Sequence, residues 1–115
     1  MTDIIKIEIL VRPDSLEAIK EAMNSIGIQG MTVTHVQGYG NQKGITHMYR
    51  GVEYEVNLLP KVKIEMVVEE KVVDEIVNTA KEVLATGKIG DGKIFVYPVM
   101  NVIKIRTGEE GIDAL

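Results

Sequence analysis

Residues 86–95, TGKIGDGKIF, carry three glycines and two lysines and are the part of the chain best suited to bind an anion. Glycine lets successive backbone N–H groups turn toward one anion, and a lysine ammonium adds positive charge. Gly87, Gly92 and Lys93 also have the G-x4-G-K spacing of a P-loop. A P-loop continues with Ser or Thr and opens a helix, whereas Ile94 follows here and favours a strand. We therefore predict an anion-binding loop without a P-loop fold.

An ordinary helix C-cap at Gly87 followed by a glycine turn is the structural alternative for this segment. The distribution of charge favours anion binding, because acidic residues concentrate in the predicted helices and basic residues lie in or beside glycine-rich loops. The basic residues concerned are Arg50, Lys88, Lys93, Lys104 and Arg106. An acidic body with basic loops suits a small anionic ligand.

Length and composition limit the classes of function. A chain of 115 residues can form one domain with its own core, so we treat residues 1–115 as a single domain. The absence of cysteine excludes thiolate chemistry and fits a cytoplasmic protein. A net charge of −4 and an aromatic content of 4% disfavour nucleic acid as a partner. The first ten residues, interrupted by Lys6 and Glu8, predict neither a signal peptide nor a membrane span.

The apolar residues alternate with polar ones in several segments and recur at helical spacing in two others, which predicts the order βαββαβ. Strands are predicted over 5–11, 31–36, 62–68 and 94–97, helices over 16–26 and 73–84, and a short extra strand over 102–105. This order is typical of the ferredoxin-like α+β fold, a four-stranded antiparallel sheet with both helices on one face. A symmetric homo-oligomer would cover the other face, and a monomer with a solvated face is the alternative.

A long loop joins the second and third predicted strands, from Gly38 to Leu59, with residues 39–58 as its regulatory part. Ordering ten positions costs on the order of 10 kcal/mol, more than a few exposed ion pairs return. We therefore predict a loop that is mobile without a ligand and ordered by a ligand or a partner protein. Tyr49 and Tyr54 are its candidate docking side chains. An insertion without a role is the alternative.

Four segments together resemble the PII nitrogen-regulatory signalling proteins along essentially the whole chain. They are GMTVTHVQGYGNQKG, YRGVEYEVNLLPKVKIEMVV, TGKIGDGKIF and IKIRTGEEG. Four motifs in matching order and spacing make the resemblance specific. It implies a homotrimer of ferredoxin-like subunits whose clefts bind ATP or ADP competitively and, with magnesium-ATP present, 2-oxoglutarate. It also implies a regulatory protein, not an enzyme, whose long loop docks onto ammonium transporters, enzymes or regulators.

The same resemblance implies nucleotide-binding roles along the chain. The adenine would lie on the sheet, the root of the long loop would approach the nucleotide, the glycine segment would cradle the phosphates, and two C-terminal cations would add positive charge. At least one of those cations would come from across the subunit boundary. The residues are Thr32, Glu65 and Val67 for the adenine; Gly38, Gly40, Asn41 and Gln42 for the loop root; Gly90, Asp91, Gly92 and Lys93 for the cradle; and Lys104 and Arg106 for the C-terminal charge.

The effector site is implied in the same way. 2-Oxoglutarate would meet Gln42, Lys43, Gly44 and Lys61, and the side-chain oxygen of Gln42 would hold Mg²⁺. Both roles suit the chemistry, since an amide oxygen is a hard ligand for a hard cation and a lysine pairs with a dicarboxylate. Tyr54 matches the tyrosine that some bacterial members have uridylylated.

The chain departs from the family pattern at three positions. Asn41 stands where many members have an arginine that reaches the phosphates, and Lys104 replaces another common arginine with a point charge. His47 occupies a loop position that is often acidic. We expect the first two to alter nucleotide selectivity or affinity, and the third to alter the partner surface.

Two other classes of function are open from the residues alone. An enzyme needs a nucleophile–base pair or a metal site, and His35 and His47 have no metal-ligand spacing, although slow ATP hydrolysis is compatible with the loop. A ferredoxin-like small-ligand or RNA-binding module is the second class. The glycine–aromatic motif of RNA-binding sheets is absent from the sequence.

Overall fold

The computed structural model describes residues 3–39, 46–49, 52–55, 58–87 and 90–115. Its strands are β1 (Ile4–Val11), β2 (Thr32–Tyr39), β3 (Thr46–Tyr49), β4 (Val52–Glu55), β5 (Leu58–Glu69) and β6 (Lys93–Pro98). Its α-helices are α1 (Leu16–Ser25) and α2 (Val73–Leu84), and short 3-10 helices cover Pro13–Ser15, Glu70–Val72 and Gly111–Ala114. Within these described ranges no helix is both long and apolar enough to cross a bilayer.

The main sheet has the strand order β2-β5-β1-β6, and its three pairings, β2 with β5, β5 with β1 and β1 with β6, are all antiparallel. Both helices contact each other and pack on one face of this sheet. The predicted ferredoxin-like α+β fold is therefore confirmed.

The core forms where the alternating strands meet the apolar faces of the two helices. Every second residue of β1 and β5 points to the helices, as the period of a strand requires. The buried core contains Ile7, Ile9, Val11, Ile19, Met23, Val62, Ile64, Met66, Val68, Ile76 and Ala80. The residues between them, among them Lys6, Glu8 and Glu65, occupy the opposite face, which we call the open face.

The region predicted as one long loop is partly extended. β2 continues to Tyr39 and β5 begins at Leu58, so the two strands pair beyond the predicted loop boundaries. Within the segment that joins them, β3 and β4 pair as an antiparallel hairpin. Pro60 is tolerated in β5 because β1 pairs only with the later part of that strand, and proline is accepted where a strand has one neighbour.

The extra strand predicted over residues 102–105 was wrong. The structure contains a single antiparallel bridge there, between Ile103 and Glu110. The chain reverses immediately afterwards, because the Gly108 N–H donates to the Lys104 carbonyl oxygen at 2.7 Å. The turn begins so soon after Ile103 that residues 102–105 cannot form a strand with successive pairs to a neighbour.

Candidate functional site

The glycine loop between α2 and β6 is closed by the side chain of Asp91. Its Oδ2 accepts hydrogen bonds from the backbone N–H groups of Thr86, at 2.7 Å, and Gly87, at 3.0 Å. The Thr86 hydroxyl donates to Oδ1. Arg12, just after β1, places its Nη2 3.5 Å from the same Oδ1. The carboxylate thus joins the beginning and the end of the loop and ties both to the sheet.

These contacts lower the pKa of Asp91 below its usual value of 3.8. The hydrogen bond from the Thr86 hydroxyl is the largest cause, followed by the one from the Thr86 N–H. Desolvation opposes them, and the Gly87 N–H and the Arg12 charge reinforce them. Asp91 is therefore ionised at neutral pH, which is the state that accepts all of these donors.

Gly92 fixes the end of the loop against the sheet. Its φ is +110°, and a Cβ at this position would overlap the Leu10 carbonyl oxygen. Lys93 follows as the first residue of β6, paired with Leu10, and so begins a strand. The prediction that this segment is not a P-loop is confirmed. The pairing places Lys93 on the open face, together with Leu10.

The three residues predicted to line an adenine come together on the open face. Thr32 of β2 lies directly opposite Glu65 of β5, and Val67 follows two residues later on the same side of β5. The Glu65 carboxylate pairs with Lys6, whose Nζ is 3.2 Å from Oε2. The same Nζ lies 4.8 Å from the ring centre of Tyr97. Glu65 is thus held in place by a cation that sequence reasoning did not select.

The root of the long segment is shaped by Gly38 and Lys61. A Cβ at Gly38 would come within 3.1 Å of the Lys61 Cγ, so the glycine leaves room for the stem of the lysine. Lys61 is paired with Val36, three residues before the end of β2. The structure therefore places the lysine predicted for 2-oxoglutarate beside a glycine predicted for the nucleotide.

Lys104 and Arg106 lie on a C-terminal turn, residues 101–111, that is organised by backbone hydrogen bonds and by the side chain of Asn101. The Asn101 amide donates to Glu110 Oε1 at 2.8 Å, and its oxygen accepts the N–H groups of Val102, at 2.9 Å, and Gly111, at 3.2 Å. The Lys104 Nζ is 3.8 Å from Glu109 Oε1.

At the outer part of the same turn, Ile105 is 99% exposed and Arg106 is exposed beside it. Sequence reasoning missed Asn101, although an asparagine that follows Pro98 closely and precedes a glycine turn is a signal for such bonding.

Several predicted site residues lie outside the described part of the chain. These are Gly40, Asn41, Gln42, Lys43 and Gly44. Tyr54 is described by its backbone alone, in β4 and opposite His47. The magnesium ligand and three of the four residues predicted for 2-oxoglutarate therefore stay predictions.

The open face is rich in partly exposed apolar side chains. Val67, Phe95 and Tyr97 retain 39%, 38% and 40% of their accessible surface. The rings of Phe95 and Tyr97 lie 6.4 Å apart between centres. Contiguous apolar groups on one sheet face, interspersed with Lys6 and Glu8, are typical of a surface that another chain covers.

Comparison with known proteins gives one consistent result. The model of the family described as nitrogen regulatory protein P-II matches residues 4–109. Nitrogen regulatory protein P-II of Pasteurella multocida is 54% identical over 110 residues, which is 96% of this chain and 98% of that protein. Nitrogen regulatory protein P-II 1 of Escherichia coli strain K12 is 56% identical over 105 residues, covering 91% and 94%.

Solved structures of high similarity include two ligand complexes. Arabidopsis thaliana PII bound to citrate has a TM-score of 0.80 at 40% identity, with 99% of this chain and 94% of that chain covered. The GlnK–ATP complex of B. subtilis has a TM-score of 0.78 at 42% identity, with 97% of each chain covered.

Proposed function

Since the chain belongs to the PII nitrogen regulatory protein family, we propose that it is a trimeric sensor that binds ATP or ADP and 2-oxoglutarate at clefts between subunits. Through its long loop it regulates ammonium transporters, nitrogen-metabolism enzymes or regulators. The observation that carries the proposal is the closed glycine loop ending at Lys93, in a chain similar to a solved GlnK–ATP complex.

In the cleft between subunits the nucleotide would meet two surfaces of this chain, one on β2 and β5 and one at the start of β6, the opposite edge strand. Thr32, Glu65 and Val67 would receive the adenine, since their shared face offers an apolar group beside polar ones. Backbone groups of residues 90–92 and the ammonium of Lys93 would hold the phosphates, because a glycine-rich turn concentrates N–H groups on one anion. Gly38 and the residues that follow it would approach the nucleotide from the root of the long segment.

A neighbouring subunit would supply further positive charge. Lys104 and Arg106 lie on a turn whose described bonds run within residues 101–111, so this turn is a separate unit from the glycine loop. We propose that at least one of these cations reaches the phosphates of the adjoining subunit. The apolar open face, with Val67, Phe95 and Tyr97, supports trimer formation, because burying it removes apolar surface from water.

2-Oxoglutarate would bind beside the nucleotide. Lys61 would pair with one carboxylate, and backbone groups from Gln42 to Gly44 would hold the other groups of the ligand. Gln42 would hold Mg²⁺ through its side-chain oxygen. When bound, the metal would supply positive charge that favours the anionic ligands.

The output of the protein would be a protein–protein contact and not a chemical product. The similar proteins are named as regulatory proteins, which agrees with this assignment. Loop residues 39–58, with Tyr54 as a candidate site of uridylylation, would present the partner surface. The cysteine-free composition supports work in the cytoplasm.

Titration calorimetry tests the sensor directly. ATP and ADP are titrated first, and 2-oxoglutarate is then titrated with and without magnesium-ATP; we expect 2-oxoglutarate to bind only in its presence. Lys93→Ala should weaken ATP binding about ten- to a hundredfold, since hydrogen bonds to charged groups contribute about 1.5–3 kcal/mol. Lys20→Ala removes the same charge from α1 and is the matched control. Unchanged ATP affinity in Lys93→Ala would contradict the cradle.

The variant Lys61→Ala tests whether 2-oxoglutarate and ATP are bound by different residues. We expect it to lose 2-oxoglutarate and to keep ATP, because Lys61 pairs with the dicarboxylate alone in the proposed arrangement. Sedimentation velocity on the same samples measures the oligomeric state. A monomer that binds no adenine nucleotide would sink the whole proposal.

A further inference from the structure

Asp91 is the negatively charged residue that lies within a loop proposed to hold phosphates. A carboxylate beside an anion is repulsive, and the repulsion grows where solvent is partly excluded. Its side-chain oxygens, however, are already directed at the loop itself, toward Thr86 and Gly87. The contacts of Asp91 therefore point to a structural task inside the loop.

The hydrogen bonds divide the loop into two parts with different tasks. Asp91 occupies the N–H groups at the beginning, Thr86 and Gly87, and these two donors face a carboxylate. The part from Gly90 to Lys93 follows the closure and contains the two positive φ angles of +95° and +110° at Gly90 and Gly92. Consecutive N–H groups in such a turn form the concave surface that suits an anion.

Arg12 fixes the carboxylate to the rigid part of the fold. It follows β1 directly, and its Nη2 lies 3.5 Å from Asp91 Oδ1. The same end of β1 contacts Gly92, whose position leaves room for the Leu10 carbonyl oxygen. Two contacts therefore connect the loop to the end of β1. One is the ion pair of Asp91 with Arg12, and the other is the close approach of the Gly92 backbone to Leu10.

We propose that Asp91 is a positioning residue of the nucleotide site, which closes the loop on Thr86 and Gly87 and so holds residues 90–93 in the shape that receives the phosphates. The side chain of Asp91 does not touch the nucleotide, although its backbone belongs to the cradle. The inference rests on the proposed function and refines it, since the sequence places Asp91 among the residues of the cradle.

The direction in which ATP affinity changes when the Asp91 charge is removed distinguishes a positioning role from mere proximity to the phosphates. If Asp91 only lay near the phosphates, Asp91→Asn would remove a repulsive charge and strengthen ATP binding. If Asp91 positions the loop, Asp91→Asn weakens the bonds to Thr86 and Gly87 because it removes the negative charge and one of the two acceptor oxygens, and Asp91→Ala removes these bonds altogether. The loop must then be ordered again when ATP binds. ATP binding then becomes weaker although a negative charge has been removed.

The first experiment is calorimetry of ATP on the full chain with three variants and a control. We expect Asp91→Asn and Asp91→Ala to weaken ATP binding by about tenfold or more, which corresponds to about 1.4 kcal/mol. Thr86→Val keeps every charge and the side-chain shape but removes the hydroxyl donor, and it should weaken ATP in the same direction. Asp74→Asn, on the exposed side of α2, removes an equal charge and should leave ATP affinity unchanged.

The second experiment observes the loop without any nucleotide. Amide proton shifts of Thr86 and Gly87 are followed by NMR during an acid titration of the wild-type protein. Both should move together, with a midpoint below that of an ordinary aspartate, and the movement should be absent in Asp91→Asn. Unchanged amide shifts outside residues 84–93 and 10–12, the strand end that contacts the loop, confirm that the variants are folded.

The outcomes distinguish a failure of the proposed function from a failure of the positioning role of Asp91. Wild-type protein that binds no ATP overturns the proposed function, and the positioning role with it. Wild-type protein that binds ATP, together with a folded Asp91→Ala that binds it equally or more tightly, overturns the positioning role alone. Thr86 and Gly87 amides that ignore the titration overturn the closure of the loop.

Discussion

Gly92 offers a sharp test of how the glycine loop is attached to the sheet. Replacing it with alanine forces a Cβ into the place of the Leu10 carbonyl oxygen and within 3.1 Å of Val11 Cγ1. It also requires a side chain at φ +110°, a conformation that residues other than glycine rarely adopt. Backbone strain and steric overlap therefore act together at this position.

The expected loss of stability follows from these two costs. A strained backbone costs about 1–3 kcal/mol, and an overpacked site costs about 1–3 kcal/mol more. Alanine also restricts the unfolded chain, which returns about 0.4–1 kcal/mol where the native backbone suits it. We expect Gly92→Ala to lower the free energy of unfolding by about 1–5 kcal/mol, a large part of the about 5–15 kcal/mol typical of a folded protein.

Two other glycines separate the contributions. Gly27 has a φ of +89° with open space at its Cβ position, so Gly27→Ala introduces strain without overlap. Gly30 has open space and lies outside the left-handed region, so Gly30→Ala introduces neither. We expect losses in the order Gly92→Ala, Gly27→Ala and Gly30→Ala, with the last within about 0.5 kcal/mol of wild type.

Urea unfolding at one fixed protein concentration measures the series, because the stability of an oligomer depends on concentration. If Gly92→Ala loses no more stability than Gly27→Ala, the overlap with β1 does not hold the loop and the reasoning is refuted. A loss in Gly30→Ala as large as in Gly92→Ala would show that any glycine-to-alanine change lowers the stability equally, whatever the local φ and the space at the Cβ position.

Three further predictions test the remaining parts of the site. Gly38→Ala should push the Lys61 stem aside and weaken 2-oxoglutarate binding less than Lys61→Ala does, and it should also weaken ATP binding because Gly38 approaches the nucleotide, whereas Lys61→Ala keeps ATP affinity in calorimetry; a Lys61→Ala that loses ATP as strongly as Gly38→Ala would contradict the separation of the two ligands. The lowered pKa of Asp91 means that its contribution to stability is fully present above the ordinary value of 3.8 and is lost as the pH falls through the lower folded pKa. Urea unfolding should therefore show Asp91→Asn less stable than wild type at neutral pH and the difference shrinking in acid, and a difference independent of pH would contradict it. Asn101→Ala should accelerate hydrogen exchange of the Gly111 amide and weaken ATP binding, since three bonds that organise the C-terminal turn are removed; unchanged exchange would mean that other contacts hold the turn.

The fold was predictable wherever burial imposes a regular period. β1 and the central part of β5 alternate because one side of each strand faces the helices, and that alternation is visible in the residues. The ends of β2 and β5 were not visible, because Gly38 and Pro60 are ordinarily loop residues and only the pairing between the two strands makes them extended. Local preference was overridden there by tertiary contact.

The candidate site likewise has parts that the sequence predicts and parts that depend on tertiary contacts. The glycine loop could be found from composition, and the shared face of Thr32 and Glu65 follows from two predicted strands. The contact between Asp91 and Arg12 could not be predicted, since Arg12 is distant in the chain and arrives only when β1 and β6 pair. Asn101 was missed because a strand was predicted where the turn lies.

The separation between the glycine loop and the C-terminal turn has a consequence for the proposed sensor. If Lys104 or Arg106 completes the phosphate site of an adjoining subunit, each site needs two chains, and nucleotide binding must stabilise the trimer by mass action. Dilution should then weaken ATP binding, and ATP should shift sedimentation toward the trimer at low protein concentration. Arg106→Ala should remove most of this coupling while the open face still holds subunits together at high concentration. An ATP affinity that is the same for isolated and assembled chains would mean that one subunit binds the nucleotide alone, with the cations of the C-terminal turn serving another purpose.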